Sequence, residues 1–345
     1  MYERIFKYAF SLLIVGSIGI AAQAQDLIYS QFYNAPVYLN PALNGEFDGD
    51  IRLNMIYRSQ WTKIQGALDS YTFSVDYQLP VFGGGIGLIV NKSTEGTAFL
   101  SKLNAASVFS YSVQLNSESR LSFGLQAGVI NSRVDESKLL FSDQLGSQGI
   151  IPGATSAATI LANNNRSFFD AGAGINLVTG NFMIGGSAQH INRPDESLTG
   201  QVSRLPMRYG IHTSYLISLD RYGGEELPAI IPSLVVYRQA QYNSISAGFQ
   251  FKTSSINLGL WYRGNGAQND AIVFSVIFDL FKNSGSSNKV RLGVSHDATT
   301  SKINYSATGG TTEAALVYEA EIPGRSEARY IRERNSSFNR CYKFY

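Results

Sequence analysis

Along most of this chain apolar and polar positions alternate one by one. Ile272, Phe274, Val276, Phe278 and Leu280 share one face of a stretch, with Ala271, Ser275 and Asp279 on the other, although Val273 and Ile277 blur the second face. Ile256, Leu258, Leu260 and Tyr262 alternate with Asn257, Gly259, Trp261 and Arg263. Tyr71, Phe73, Val75 and Tyr77 alternate with Thr72, Ser74, Asp76 and Gln78, and Val290, Leu292 and Val294 with Arg291, Gly293 and Ser295. A two-residue period places successive side chains on opposite faces of a strand. No long segment shows the three-and-four spacing of a helix.

Fourteen such stretches are predicted, near 50–59, 69–79, 85–92, 98–115, 119–132, 167–178, 181–191, 204–219, 228–240, 242–252, 254–264, 269–281, 288–297 and 312–321. The connections between them fall into two sets. Odd-numbered ones include Val134 to Arg166, Asn192 to Ser203 and Ala298 to Thr311, the three longest; even-numbered ones include the tight turns at 178–181, 116–118 and 252–254, with Asp220 to Leu227 and Lys282 to Ser287 less tight. Outer-membrane barrels carry short periplasmic turns, longer external loops and an even strand count. The expected fold is therefore all-β, a transmembrane outer-membrane β-barrel of about 14 antiparallel strands. Closure is required because an open edge in hydrocarbon leaves amides unpaired at several kcal/mol each. A large secreted sandwich would show the same alternation; the loop asymmetry favours the barrel.

Composition supports this reading. The chain holds 20 Tyr, 20 Phe and 33 Gly against 9 Pro, and charged residues make up 16%, below the roughly 25% of an average soluble domain. A formal net charge of +2 gives no electrostatic case for nucleic acid. Cys341 is the only cysteine, so no internal disulfide forms. Arg4 and Lys7, the apolar run Tyr8 to Ile20 and Ala22-Gln23-Ala24 make a secretory signal peptide over 1–24, cut before Gln25. The expected division is a signal peptide at 1–24, a periplasmic or plug segment at 25–49, the barrel at 50–321 and a periplasmic cationic-aromatic tail at 322–345. The protein is expected in the cell outer membrane, multi-pass and contacting its lipid, with both termini periplasmic.

Candidate chemistry is sparse. His190, His212 and His296 are dispersed, without metal-site spacing. His190 and His296 fall near outer strand ends and read as polar rim residues. Gly83-Gly84-Gly85-Ile86-Gly87 lacks the Lys-Ser/Thr ending of a phosphate loop and reads as a glycine cluster at a strand start. No enzyme activity, cofactor, catalytic residue or metal is expected. Arg52, Asn54, Arg58, Asp76, Gln126, Asn176, Gln250, Asn257, Arg263 and Asp279 are predicted to face the lumen. Their mixed signs suit internal salt bridges as well as a channel, so a transporter or porin for a small or hydrophobic solute is the alternative function.

The stretch before the first strand has neither period. Gln31-Phe32-Tyr33, Asn34-Ala35-Pro36 and Leu39-Asn40-Pro41-Ala42 precede Arg52-Leu53-Asn54 and Tyr57-Arg58-Ser59-Gln60-Trp61. In this order they resemble the PorP/SprF family of type IX secretion system membrane proteins. Asp69 to Tyr77, Arg291 to Lys302, Gly309-Gly310 and Glu313 to Tyr318 resemble its second and closing strands. The resemblance implies an outer-membrane component of type IX secretion and gliding that holds or delivers an adhesin-like secreted surface protein bearing the type IX C-terminal signal. It implies no catalysis and no cofactor.

Three groups of residues are singled out. Gln31, Phe32, Tyr33, Pro36, Tyr38, Leu39, Asn40 and Pro41 are expected to reach into the lumen from the periplasmic side, the alternative being a loose arm. Tyr57, Arg58, Gln60 and Trp61 are placed at the rim of the first strand. In the tail, Arg325, Arg329, Tyr330, Arg332, Arg334, Phe338, Arg340 and Tyr342 interleave cations with aromatics, as interface hot spots do. They would dock a periplasmic type IX ring or lipoprotein component; a solvated tail is the alternative.

Overall fold

The computed structural model describes residues 26–79, 82–96, 100–135, 139, 141–146, 149–153, 164–219, 228–280, 288–322 and 344. The signal-peptide stretch and all eight tail residues named above lie outside them.

The alternating stretches form the strands β1 (Ile51–Gln60), β2 (Leu68–Leu79), β3 (Gly84–Glu95), β4 (Leu100–Gln114), β5 (Ser119–Arg133), β6 (Asn165–Thr179) and β7 (Phe182–Gln189). They continue with β8 (Arg208–Tyr215, resuming at Ile217–Ser218), β9 (Ala229–Gln239), β10 (Tyr242–Lys252), β11 (Ile256–Gly264), β12 (Asn269–Leu280), β13 (Lys289–Thr299) and β14 (Thr311–Ala320). Each pairs antiparallel with its sequence neighbours. The ring closes where β14 pairs with β1, from Ile51 opposite Ala320 to Gln60 opposite Thr311. The result is a closed 14-stranded barrel, as the alternation predicts.

Alternation sorts the side chains as a membrane barrel requires. On β12, Ile272, Phe274, Val276 and Phe278 point outward while Ala271, Val273, Ser275 and Ile277 are buried inside. Outward tyrosines gather at two levels, joined by some phenylalanines, while Phe73 and Phe274 stand at mid-strand. Tyr57, Tyr71, Tyr209 and Tyr262 stand toward the end with the long connections, and Phe82, Tyr111, Phe123, Tyr215 and Tyr318 toward the other. Aliphatic side chains such as Leu88, Leu125, Ile211 and Val294 lie between them. That is the band-and-girdle arrangement of a hydrocarbon-embedded barrel. Among the described residues no helix is long and apolar enough to cross a membrane.

The connections at 134–164, 190–207 and 300–310 leave from one end of the barrel. The loop at 190–207 is tied by Asp195, which accepts from the amides of Ser197 and Ser203 and pairs with Arg166 at 2.9 Å. At the opposite end the turns at 115–118, 180–181 and 253–255 are short.

The residues ahead of β1 fill the lumen. A 3-10 turn at Phe32–Asn34, one helical turn at Pro36–Leu39 and a second 3-10 turn at Pro41–Leu43 follow one another. Each proline opens its turn, where its missing amide hydrogen costs nothing. Asn40 caps the last turn, its Oδ1 accepting from the Ala42 amide at 2.9 Å. The segment runs from one end of the lumen to the other. The Asp26 amide donates to Gln239, the last residue of β9, at the long-loop end. Asp50 bonds to Ala320 and Gln78 at the short-turn end. The segment therefore traverses the lumen, and Asp26 lies at the end opposite Ile322, whose amide donates to Asp50.

Candidate functional site

The lumen and the segment within it are built for each other. Near the long-loop end, Glu313 on β14 accepts the amides of Ser30 and Gln31, one on each carboxylate oxygen, both at 2.8 Å. The same carboxylate pairs with Arg58 on β1. Arg58 also approaches Asp297 on β13 at 3.4 Å, and Asp297 pairs with Arg263 at 2.9 Å. Ser30 donates from its hydroxyl to Asp297 at 2.7 Å. Charges taken from water in this way persist only when paired and hydrogen-bonded, and here the segment's own backbone supplies two of the donors. The Gln31 amide nitrogen donates to the Ser295 hydroxyl and the Glu313 carbonyl, and its oxygen accepts from Asn34 at 3.0 Å.

The middle of the segment is apolar and meets an apolar wall. Phe32 packs edge-on against Trp261 with ring centres 5.0 Å apart, and Tyr33 stacks on the same indole at 6.0 Å. Leu39 and Leu43 complete one cluster with Val178, Met183, Ile231, Val235, Val273 and Ile277. The two residues that blurred the alternation of β12, Val273 and Ile277, are thus apolar inside because they face the segment rather than water. Full burial of one such side chain is worth about 1.5–3 kcal/mol.

Where the segment passes closest to the wall, the wall is glycine. A Cβ on Gly174 would stand 1.9 Å from Asn40 Oδ1, and one on Gly124 would stand 2.2 Å from the Pro41 backbone. Asn40 itself donates to the carbonyls of Ile175 and Gly186. Gly85, in the cluster read from sequence as a strand start, seats Gly45: a Cβ there would approach the Gly45 Cα to 2.7 Å. Below it Asp76 accepts from the Gly45 amide at 2.8 Å and pairs with Arg52 at 2.7 Å.

The first described residue is pinned separately. His190 bridges Asp26 and Asp170, at 2.7 Å from each, and Gln239 donates to Asp26 at 2.9 Å. Burial opposes the charged ring, but the two carboxylates outweigh it and raise His190 to about 9. Burial also opposes the Asp26 carboxylate, and His190 outweighs that and holds Asp26 far below the usual carboxylate range. Tyr38 donates to the Leu27 carbonyl at 2.6 Å and accepts from Arg208 at 2.9 Å.

The sequence model of the family described as "Type IX secretion system membrane protein PorP/SprF" matches residues 21–318. The chain belongs to the PorP/SprF family. It is an outer-membrane β-barrel of the type IX secretion system, a family placed with the secretion machinery and its cargo. No curated protein matches it. Solved structures similar to this PorP/SprF barrel include the CymD monoaromatic hydrocarbon channel, at 12% identity and TM-score 0.48 over 88% of this chain and 95% of that one. Another is the Pseudomonas putida toluene transporter TodX, at 13% identity and TM-score 0.41 over 86% and 94%. Likeness at this level says nothing of what the PorP/SprF chain binds or moves.

All eight singled-out residues of the N-terminal segment lie inside the barrel, Tyr38 partly buried and the other seven buried. The four first-strand residues do not share one place. Arg58 is inside, 2% exposed, rather than at the rim. Gln60 accepts from it at 3.2 Å, Tyr57 faces outward against Tyr71, and Trp61 occupies the turn after β1. Arg58 escapes the rim because Ser30 and Gln31 roof it, which no strand pattern reveals. The ten predicted lumen residues all face inward. His190 is a buried clamp rather than a rim residue; His296 bonds Thr312 and Tyr305 near the long-loop end. Among the described residues no His, Cys, Asp and Glu group could hold a metal. Sequence reasoning missed Asp26, Asp170 and Gln239, whose signal lies in folding rather than spacing. Beyond Ile322, Phe344 alone is described, buried in the apolar cluster with Val178, Met183 and Ile231.

Proposed function

We propose that this PorP/SprF barrel is a partner-binding scaffold of type IX secretion, anchoring or delivering an adhesin-like secreted protein at the cell surface. The observation that carries the reading is the filled lumen. From Tyr29 to Phe47 the segment is buried almost throughout and bonded to strands around the barrel. A cylinder so occupied has little use as a solute path and a good deal as a rigid platform. By the rule of short periplasmic turns the long loops face outside and present the surface that meets the secreted protein. The β14 end and the tail at 322–345, with its Arg and aromatic residues, face the periplasm and dock a ring or lipoprotein component there. In this division 1–24 is a cleaved leader, 25–49 the lumen segment and 50–321 the barrel.

The test is affinity purification from detergent-solubilised outer membrane, with the co-purifying proteins identified. Recovery of a surface protein bearing the type IX C-terminal signal, together with periplasmic machinery, is the expected outcome. Truncation at Pro323 should keep the surface protein and lose the periplasmic partners. A barrel recovered alone that sustains solute flux in liposome swelling would replace the scaffold with a transporter.

A further inference from the structure

At the long-loop end the lumen is not full. A cavity of about 300 Å³ lies beside the start of the segment, with Leu27 and Ile28 on one side and Trp61, Leu68 and Tyr242 among its other walls. A narrower slot of about 70 Å³ adjoins the same residues, and Asp26, Leu27 and Glu95 line both. The larger space sits at the lower bound of small-ligand pockets, roughly 300–1,000 Å³. It has room for one long side chain.

The charges around it are committed, with one exception. Arg58 is held by Glu313 and Asp297. Arg263 is held by Asp297 and by Asp270, the latter at 2.6 Å. Asp26 is held by His190 and Gln239. Lys102, beside the slot, pairs with Glu196 at 2.7 Å. Glu95, at the end of β3, lies within the field of the Lys102 ammonium, which is hydrogen-bonded to Glu196 instead, and no hydrogen bond or close ion pair holds Glu95 itself among the described residues. The cavity therefore offers an incoming group one carboxylate with no hydrogen-bonded counter-ion, two aromatic side chains and an apolar floor. A carboxylate beside aromatic faces favours a cation over an anion or a neutral group. Trp61 is fixed in place by its backbone: at φ +61° it donates its amide to Gly310 at 2.9 Å and accepts from Ile64 at 2.8 Å.

We propose that this cavity binds one positively charged group on an apolar stem, a guanidinium or alkylammonium, with Glu95 as its counter-ion and Trp61 and Tyr242 as its aromatic walls. Carried on an Arg or Lys of a secreted partner, the group would make the vestibule the point where that partner's chain engages the barrel. This last step rests on the scaffold reading; the site itself does not. The lumen segment then has a second part in the design, since Leu27 and Ile28 floor the cavity and the clamp on Asp26 keeps that floor in place.

The probe is N-acetyl-arginine amide, titrated into the purified barrel in detergent, with tryptophan emission and calorimetry as readouts. The chain has two tryptophans, and Trp261 is buried against Phe32 and Tyr33, so a change in emission reports on Trp61. Saturable binding is expected, weakened tenfold or more by Glu95→Gln and abolished by Glu95→Lys, which fills the cavity with its own ammonium. Trp61→Phe should remove the optical signal and leave calorimetric binding. Heat-modifiable mobility on gels shows that each variant is folded. The uncharged N-acetyl-norleucine amide should not bind. A tripeptide amide with a central arginine is run beside the single residue: tighter binding of the peptide assigns the group to a partner chain, equal binding to a small solute, and either supports the site. Equal affinity for the uncharged analogue, unchanged affinity in Glu95→Gln, or no response in the wild type overturns it. Failure to recover a surface protein by affinity purification, with arginine binding intact, would sink the scaffold reading and leave the site.

Discussion

Arg58 matters through what is packed over it. Its guanidinium joins Glu313 and Asp297, and Glu313 at the same time receives the amides of Ser30 and Gln31. Removing one member of a buried pair strands the other charge and costs about 3–5 kcal/mol. Arg58→Ala should therefore lower the midpoint of urea unfolding, followed by heat-modifiable mobility in detergent. Arg58→Lys, which keeps the charge and loses the planar fork, should lie between the two. An Arg58→Ala barrel as stable as the parent would show that this network is solvated. His190 gives a pH-dependent counterpart. Its folded value is raised from 6.5 to about 9, so it stabilises fully below 6.5 and loses that contribution as pH rises through 9. The whole effect is about 3 kcal/mol, and His190→Gln should flatten the profile of stability against pH across that window. An unaltered profile would show that the Asp26–His190–Asp170 clamp carries no charge. Alternation read the inward direction of Arg58 correctly, because direction is a property of the strand. It misread depth as rim, because depth depends on a segment from elsewhere in the chain.

At the scale of elements, strands and lumen segment were legible to different degrees for one reason. A strand's two environments repeat every two residues, so lipid and lumen write themselves into the sequence. The lumen segment sees one environment all round, and its turns take their geometry from Pro36, Pro41 and the Asn40 cap rather than from a period. Its partners on the wall were visible only as gaps: Gly85, Gly124 and Gly174 interrupt otherwise ordinary strands. Those gaps allow a test of the filled lumen. Deleting Ser30 to Gly45 leaves every strand pairing in place, so the barrel should still fold, and planar-bilayer recordings should change from closed to steadily conducting. Gly174→Val, whose side chain would collide with Asn40, should give a milder opening. A deletion variant that folds and stays closed would mean that the wall side chains alone seal the lumen.

For the whole molecule, the closed ring and the two aromatic levels make the bilayer position a consequence of the sequence, while the direction of insertion rests on connection length alone. That step can be measured. Thr199 lies exposed in the loop at 190–207 and Ser254 lies exposed in the turn at 253–255, at opposite ends of the barrel. In a Cys341→Ser background, which removes the one native thiol, a cysteine at each position can be challenged on intact cells with a membrane-impermeant maleimide. Thr199→Cys should label at once, and Ser254→Cys only after the outer membrane is opened. The same orientation sets Asp26 toward the cell surface and Asp50 toward the periplasm, so the start of the lumen segment would lie among the external loops. Labelling at Ser254 on intact cells with Thr199 protected would turn the barrel over. It would place the cavity beside Glu95 in the periplasm, leave the filled lumen untouched, and make the secretion machinery rather than a surface protein the partner facing that cavity.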